Sequence, residues 1–443
     1  MSEKRISDLW LKEDWWAIWL ALGIIIVGML FFFLGSTINP IAVKPPTWDA
    51  LNILGSHLAL KWYWYFAQFV MWLIIFSVSI KIMGHKIKEY FPGFIILFLL
   101  SVIILIFSSW KYAKDYNLEA PLVALLAGLI GGNFIRLPKW LDTSLRTEYY
   151  IKTGIILLGA TLPFTLIIKA GPIAFLQATI VSVTTFLTIY WVGTRYFNLD
   201  KKFCSVMGAG GSVCGVSASI AVGGAVNAQK EGISISISLV TIWAIVMIFF
   251  LPIISKIMGL DAGVAGAWIG NSEFADAAGF AAAQAIGDEK AIRAFTLMKV
   301  IGRDIWIGIW SFVLAIIAVV KWEKKEASEN KVSAMEIWWR FPKFVLGFFV
   351  ASIAITLISA SYMHGDAFGK VLEPNLIEPI KTLRTWTFIF TFLCIGLTTR
   401  FKELTKFGWQ PLAAFTAGVI INVILGYVLS NHVFVHYWTE TIK

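Results

Sequence analysis

Charge is what this chain has least of. Asp, Glu, Lys and Arg make up only 14% of its 443 residues, against 58% hydrophobic residues. A soluble domain carries roughly a quarter charged residues, and no single core could hide this much apolar surface, so lipid must solvate part of it. Cysteine is scarce as well. Cys204, Cys214 and Cys394 are an odd set lying in apolar segments, which excludes a disulfide framework. The five histidines (His57, His85, His364, His432 and His436) have no metal-ligand spacing, so neither zinc nor haem nor any other cofactor is expected. Strict alternation of apolar and polar residues is also missing. Backbone groups in lipid must therefore be satisfied inside helices rather than in a closed barrel. The formal charge of +10 is then a matter of loop placement, and no nucleic-acid partner is expected.

What is present is a series of long apolar stretches. Thirteen are read, at about 15–38, 57–83, 90–110, 118–134, 147–168, 171–195, 203–228, 233–257, 263–286, 294–320, 338–362, 383–399 and 407–430. The first, Trp15 to Thr37, is long enough to span and is read as a retained helix rather than a cleaved signal. With the N-terminus inside and one crossing per segment, 22 Lys and Arg residues fall on the cytoplasmic side and 12 on the other. This bias predicts a multi-pass protein of the cell (inner) membrane, N-terminus cytoplasmic and C-terminus extracytoplasmic. Segment nine could instead be a re-entrant hairpin. The expected organisation is 1–117 as additional N-terminal helices, 118–320 as the first part of a core, 321–337 as a charged cytoplasmic linker and 338–443 as the rest of the core. Trp15-Trp16, Trp62 to Tyr65 and Trp338-Trp339 stand at segment ends, as an interfacial belt would. Lys152 is read as a snorkelling side chain.

Segment seven holds Gly208, Gly210, Gly211, Ser212, Cys214, Gly215, Ser217 and Ser219 near mid-span. Each glycine costs a helix about 1 kcal/mol against alanine, and the cluster predicts a helix broken at mid-membrane. Such a break exposes amides at one new end and carbonyls at the other, a device that binds ions without a buried full charge. Tight helix packing is the competing explanation, and it suffices for a simple pair such as Gly128 and Gly132. Segment nine carries Asn271, Ser272, Glu273 and Asp276. Ionisable groups at membrane depth point to function, and a buried carboxylate can exchange protons. Lys299 and Arg303 in segment ten share a helix face, beside Asp304. They could bind an oxyanion or pair with the segment-nine acids. Segment twelve, with Cys394, Gly396, Thr398 and Thr399, is a weaker candidate for a second break.

Four stretches resemble the YeiH family, also called UPF0324, whose members are labelled sulfate exporters. They are Pro121 to Asn133 (PLVALLAGLIGGN), Leu145 to Gly159 (LRTEYYIKTGIILLG), Gly208 to Ser219 (GAGGSVCGVSAS), and the pair GAWIGNSEFADAAGFAAA and LMKVIGRDIWIG of segments nine and ten. The third is the most specific, and the resemblance covers about 118–430. The departure is in segment nine, where many members place a His-Glu pair or a single Asp. The resemblance implies a fold like that of bile-acid and sodium–proton transporters: ten core helices in two inverted five-helix repeats, the fourth helix of each broken, with segment twelve the counterpart of segment seven. The three additional N-terminal helices are then available to cover a subunit interface in a homo-oligomer.

The expected function is secondary transport of a small oxyanion, sulfate or an organosulfonate, and no enzymatic activity. The expected site is Gly210, Gly211, Ser212, Cys214, Gly215, Ser217, Ser219, Asn271, Ser272, Lys299 and Arg303, with Glu273 and Asp276 carrying a coupling H+ or Na+. The rivals are a carboxylate or Na+/H+-coupled transporter of the same fold, and a membrane-embedded enzyme with Cys214 as nucleophile. The enzyme lacks a histidine near mid-depth to serve as base.

Overall fold

The computed structural model describes residues 9–115, 120–161, 164–318, 322, 343–362, 368–399 and 408–440. The charged linker 321–337, apart from Trp322, and the pair Trp338-Trp339 lie outside the described residues. Among the described residues the regular structure is helical, and a single isolated bridge joins Trp48 and Trp110.

In chain order the main helices are α1 (Glu13–Phe33), α2 (Leu51–Ile82), α3 (Ile87–Ser108), α4 (Ala120–Phe134) and α5 (Thr147–Gly159). Next come α6 (Phe164–Trp191), α7 (Lys201–Ser212), α8 (Val216–Ala225), α9 (Lys230–Ile257), α10 (Ala262–Ser272) and α11 (Asp276–Gln284). Then follow α12 (Glu289–Thr296), a π-helical stretch Leu297–Arg303, α13 (Trp306–Ile317), α14 (Phe344–Tyr362), α15 (Glu378–Thr398) and α16 (Trp409–Val428). Among the described residues seven helical stretches are long and apolar enough to cross a membrane. They are Glu13–Phe33, Leu51–Ile82, Ile87–Ser108, Ile167–Tyr196, Glu231–Ile257, Val371–Thr398 and Trp409–Val433. Their exposed residues are largely apolar, as a lipid-facing surface requires.

The chain divides into two compact units, 1–165 with 343–400 and 166–342 with 401–443. In the first unit, α15 packs along α4 and α5. Gly128 and Gly132 of α4 meet Gly396 and Leu397 of α15 backbone to backbone. This is the small-residue packing expected of Gly128 and Gly132. It also accounts for segment twelve, where the structure departs from the sequence reading: α15 runs unbroken through Cys394, Gly396 and Thr398. Gly396 serves the close approach to α4, and the hydroxyls of Thr391 and Thr398 donate to their own helix, at Thr387 O (2.7 Å) and Cys394 O (2.8 Å). Lys152 does not snorkel freely. It pairs with Asp14 at 2.7 Å and Glu148 at 3.3 Å, while Arg146 pairs with Glu13 at 3.0 Å, so α1 is tied to α5 by charge. The expected aromatic belt is mixed: Trp62 is 65% exposed, whereas Trp16 and Tyr65 are buried in the packing.

The second unit contains both interrupted helices. Segment seven is α7 and α8, separated at residues 213–215, and segment nine is α10 and α11, separated at residues 273–275. Aspartates start three of the helices: Asp200 accepts from Phe203 N, Asp261 from Gly263 N and Asp288 from Lys290 N.

A Cβ on Gly396 would stand 2.5 Å from Leu125 O and Leu129 N, both backbone atoms that cannot yield. Gly396→Val should therefore lower the apparent melting temperature of the detergent-solubilised protein, by the equivalent of about 1–3 kcal/mol or more. Gly23→Ala, with open space around it, is the control. An unchanged melt for Gly396→Val would remove the backbone seam as an account of α15.

Candidate functional site

The break in segment seven depends on Gly215, whose φ of +67° suits glycine. Space demands it as well, since a Cβ there would meet Val240 Cγ1 at 2.6 Å. Once α7 ends at Ser212, its last carbonyls have no helical partner, and in a dry interior that is costly. Side chains supply the donors. Ser182 Oγ donates to Ser212 O at 2.8 Å and Arg303 Nε donates to the same oxygen at 3.2 Å. Lys299 Nζ donates to Val213 O at 2.5 Å.

The break in segment nine is built in the same way. The helix ends at Ser272, and the backbone turns extended at Glu273 and Ala275. Arg303 Nη1 faces the freed carbonyls of Gly270 (3.2 Å), Asn271 (2.5 Å) and Glu273 (2.9 Å). Lys299 Nζ donates to Phe274 O at 3.0 Å. Glu273 turns back on its own chain, and its Oε1 accepts from Phe274 N (2.9 Å) and Ala275 N (3.1 Å) just ahead of α11. Lys299 and Arg303 thus clasp the two breaks together. The π-helical stretch Leu297–Arg303 carries both cations, and Asp304 N bonds Lys299 O at its end. Such wide turns recur at functional sites. Lys299 also forms ion pairs with Asp276 (3.2 Å) and Asp304 (3.8 Å).

The expected site residues separate into groups. Ser212, Asn271, Glu273, Asp276, Lys299 and Arg303 come together at the two breaks, with Ser272 on the same turn. Ser219 faces elsewhere: its Oγ bonds Gly215 O and Ser236 Oγ, both at 2.9 Å. Gly210 packs on Ser219 and Ser236, and Gly211 on Ile189 and Phe415. Cys214 lies in an apolar cluster with Val206, Ala218, Val222 and Trp310. Ser217 is half-buried. The sequence reading did not anticipate the break after Asn271-Ser272, Ser182 as a donor or Asp304 as a partner of Lys299. The Gly270-Asn271-Ser272 run, poor in helix formers, was the available signal for the second break.

One further feature concerns unsatisfied atoms. Asn271, Ser272, Glu273 and Arg303 are fully buried. Yet Asn271 Oδ1 and Nδ2, Ser272 Oγ, Glu273 Oε2 and Arg303 Nη2 have no hydrogen-bond partner in the protein. Buried polar atoms are nearly always partnered; four of these five stand on residues 271–273 at the break, and the fifth is on Arg303, whose Nη1 reaches the same turn.

The fold and the site together define a class: an all-helical membrane protein in which two interrupted helices are joined by buried cations. The comparisons agree with the membrane part of this description. A family profile described as conserved hypothetical protein 698 matches residues 92–415. A UPF0324 membrane protein of Rhodopirellula baltica is 33% identical over 410 residues, 92% of this chain and 74% of the relative. One of Nitrosomonas europaea is 30% identical, with 96% of both chains covered. One of Streptococcus agalactiae is 28% identical over 75% of this chain and 96% of the relative. No solved structure matches the chain at a significant level. The chain belongs to the UPF0324 membrane protein family.

Removing Arg303 would leave Gly270 O, Asn271 O and Glu273 O without their side-chain donor, while Ser212 O would keep Ser182 Oγ. Arg303→Gln should destabilise the purified protein by about 3 kcal/mol or more. Arg303→Lys should not restore it, because a single ammonium nitrogen cannot stand at both places from which Nε and Nη1 reach their carbonyls. A wild-type melt for Arg303→Gln would show that the clasp is dispensable.

Proposed function

We propose that this protein is a secondary transporter of a small oxyanion, sulfate or an organosulfonate, coupled to protons. The observation that carries the reading is the set of unpartnered buried polar atoms at the break between α10 and α11. A tetrahedral oxyanion would take donors from Arg303 Nη2, Asn271 Nδ2 and Ser272 Oγ. The first amides of α8, at Val216, Ser217 and Ala218, have no carbonyl inside their own helix and sit at its positive end. With the hydroxyl of Ser217 they form the other half of the site. Interrupted helices meeting at mid-membrane are the means by which alternating-access carriers hold ions.

Charge supplies the coupling. Two cations and three carboxylates meet here: Lys299 pairs with Asp276 and Asp304, Arg303 holds the Glu273 carbonyl, and the Glu273 carboxylate lies against Phe274 N and Ala275 N beside them. An incoming anion adds negative charge to a site already short of positive charge, so uptake of a proton should accompany it. Glu273 is the carrier in this reading because its Oε2 has no partner, whereas Asp276 is engaged by Lys299. In the membrane the thirteen segments each cross once, with the N-terminus inside, in line with the 22 to 12 distribution of basic residues. Segments seven and nine cross as paired half-helices, and the second break stands in segment nine rather than twelve.

Two outcomes are expected. Calorimetry should show sulfate or a short alkanesulfonate binding to the purified protein, weakened about tenfold or more by Asn271→Leu with Ser272→Ala. Ser219→Ala, remote from the donors, should bind normally. Absence of any sulfate or sulfonate binding by wild type sinks the substrate. In proteoliposomes, Glu273→Gln should uncouple anion flux from an imposed pH gradient, and continued pH-driven flux in that variant would exclude Glu273 as the proton carrier.

A further inference from the structure

The surroundings of Lys299 Nζ are unusual for a lysine. Its side chain is fully buried. Around the nitrogen stand Val213 O at 2.5 Å, Phe274 O at 3.0 Å, Asp276 Oδ1 at 3.2 Å and Asp304 Oδ1 at 3.8 Å. Two are main-chain carbonyls released by helix breaks, and two are carboxylate oxygens. The four come from three stretches of chain: the first break, the second break with the start of α11, and the turn that follows Lys299 itself. Hard metal cations are held by such a mixed shell of carbonyl and carboxylate oxygens. The first carbonyl follows the C-terminal end of α7, where the helix dipole adds negative potential.

We infer that this oxygen cage is an alkali-cation site filled by the chain's own ammonium. Lys299 is a tethered cation that holds the two breaks together and keeps sodium out. The inference deepens the transporter reading, because it excludes sodium as the coupling ion and leaves protons. The cage itself stands on the geometry alone. Arg303 could not take the same part, since its carbonyl partners are held by two separate nitrogens, Nε and Nη1, rather than gathered around one atom.

The test is the apparent melting temperature of purified protein in sodium chloride and in choline chloride at equal ionic strength, with no sulfate or sulfonate added. Wild type should melt alike in both salts. Lys299→Ala opens the cage and should melt several degrees higher in sodium than in choline. Lys299→Met fills the same space with no charge and should show no sodium effect. Lys299→Ala combined with Asp276→Asn should lose the response seen with Lys299→Ala alone. A sodium-specific rise in wild type overturns the inference, because the cage would then already admit the metal ion. It is equally overturned if Lys299→Ala melts alike in both salts, or if it fails to fold in sodium as in choline. None of these results bears on sulfate binding by wild type, so failure of the cage and failure of the substrate reading can be told apart.

Discussion

A carbonyl freed inside hydrocarbon must find a donor, and this constraint organises the second unit. Interrupting two helices frees Ser212 O and Val213 O on one side and Gly270 O, Asn271 O, Glu273 O and Phe274 O on the other. Two side chains from one π-helical stretch answer all six. Gly215 lets the chain turn where a side chain would strike Val240. Asp200 and Asp261 secure the far ends of α7 and α10. Each break is thereby a defined conformation rather than a frayed one.

The two halves of the site are chemically unlike. The carbonyl ends are closed by Lys299 and Arg303, while unpartnered groups remain on Asn271, Ser272 and Glu273 and on the outer nitrogen of Arg303. The cations in the middle thus act as structural members, and Arg303 Nη2 is left without a protein partner. Under the proposed function, that division lets buried charge be both a scaffold and a recognition element. A guanidinium with five donors can hold several carbonyls and still present an edge.

Much of this was legible in the residues. The scarcity of charge and the long apolar stretches pointed to membrane helices. The Gly-Ser cluster at 208–219 identified the first break. The spacing of Lys299 and Arg303 marked a shared face, and Gly128 and Gly132 marked close packing. Other features were hidden for physical reasons. Cys394, Gly396 and Thr398 resemble a weak point in sequence, but a glycine that permits backbone contact and a glycine that ends a helix are the same letter. Asn271-Ser272-Glu273 is the reverse case. It reads as polar lining, and its effect on the backbone emerges only because Glu273 Oε1 takes the amides of Phe274 and Ala275 ahead of α11. Serine was equally ambiguous: Ser182 and Ser219 are both buried, and only geometry sends one to the site and the other to Ser236.

The wide turn between Leu297 and Arg303 also sets the angular register of everything after it. An α-helix advances about 100° per residue, and a stretch bonded five residues back holds one residue more per turn. A helical wheel drawn straight through 289–317 would therefore place Trp306 and Trp310 roughly a quarter-turn from their real bearing. It is this offset that lets the cations of the turn look toward the breaks while Trp310, further along, stacks on Phe186 at 4.1 Å in the apolar cluster. The run from Glu289 to Ile317 thus has two unlike faces, one turned to the helix breaks and one set in the apolar cluster.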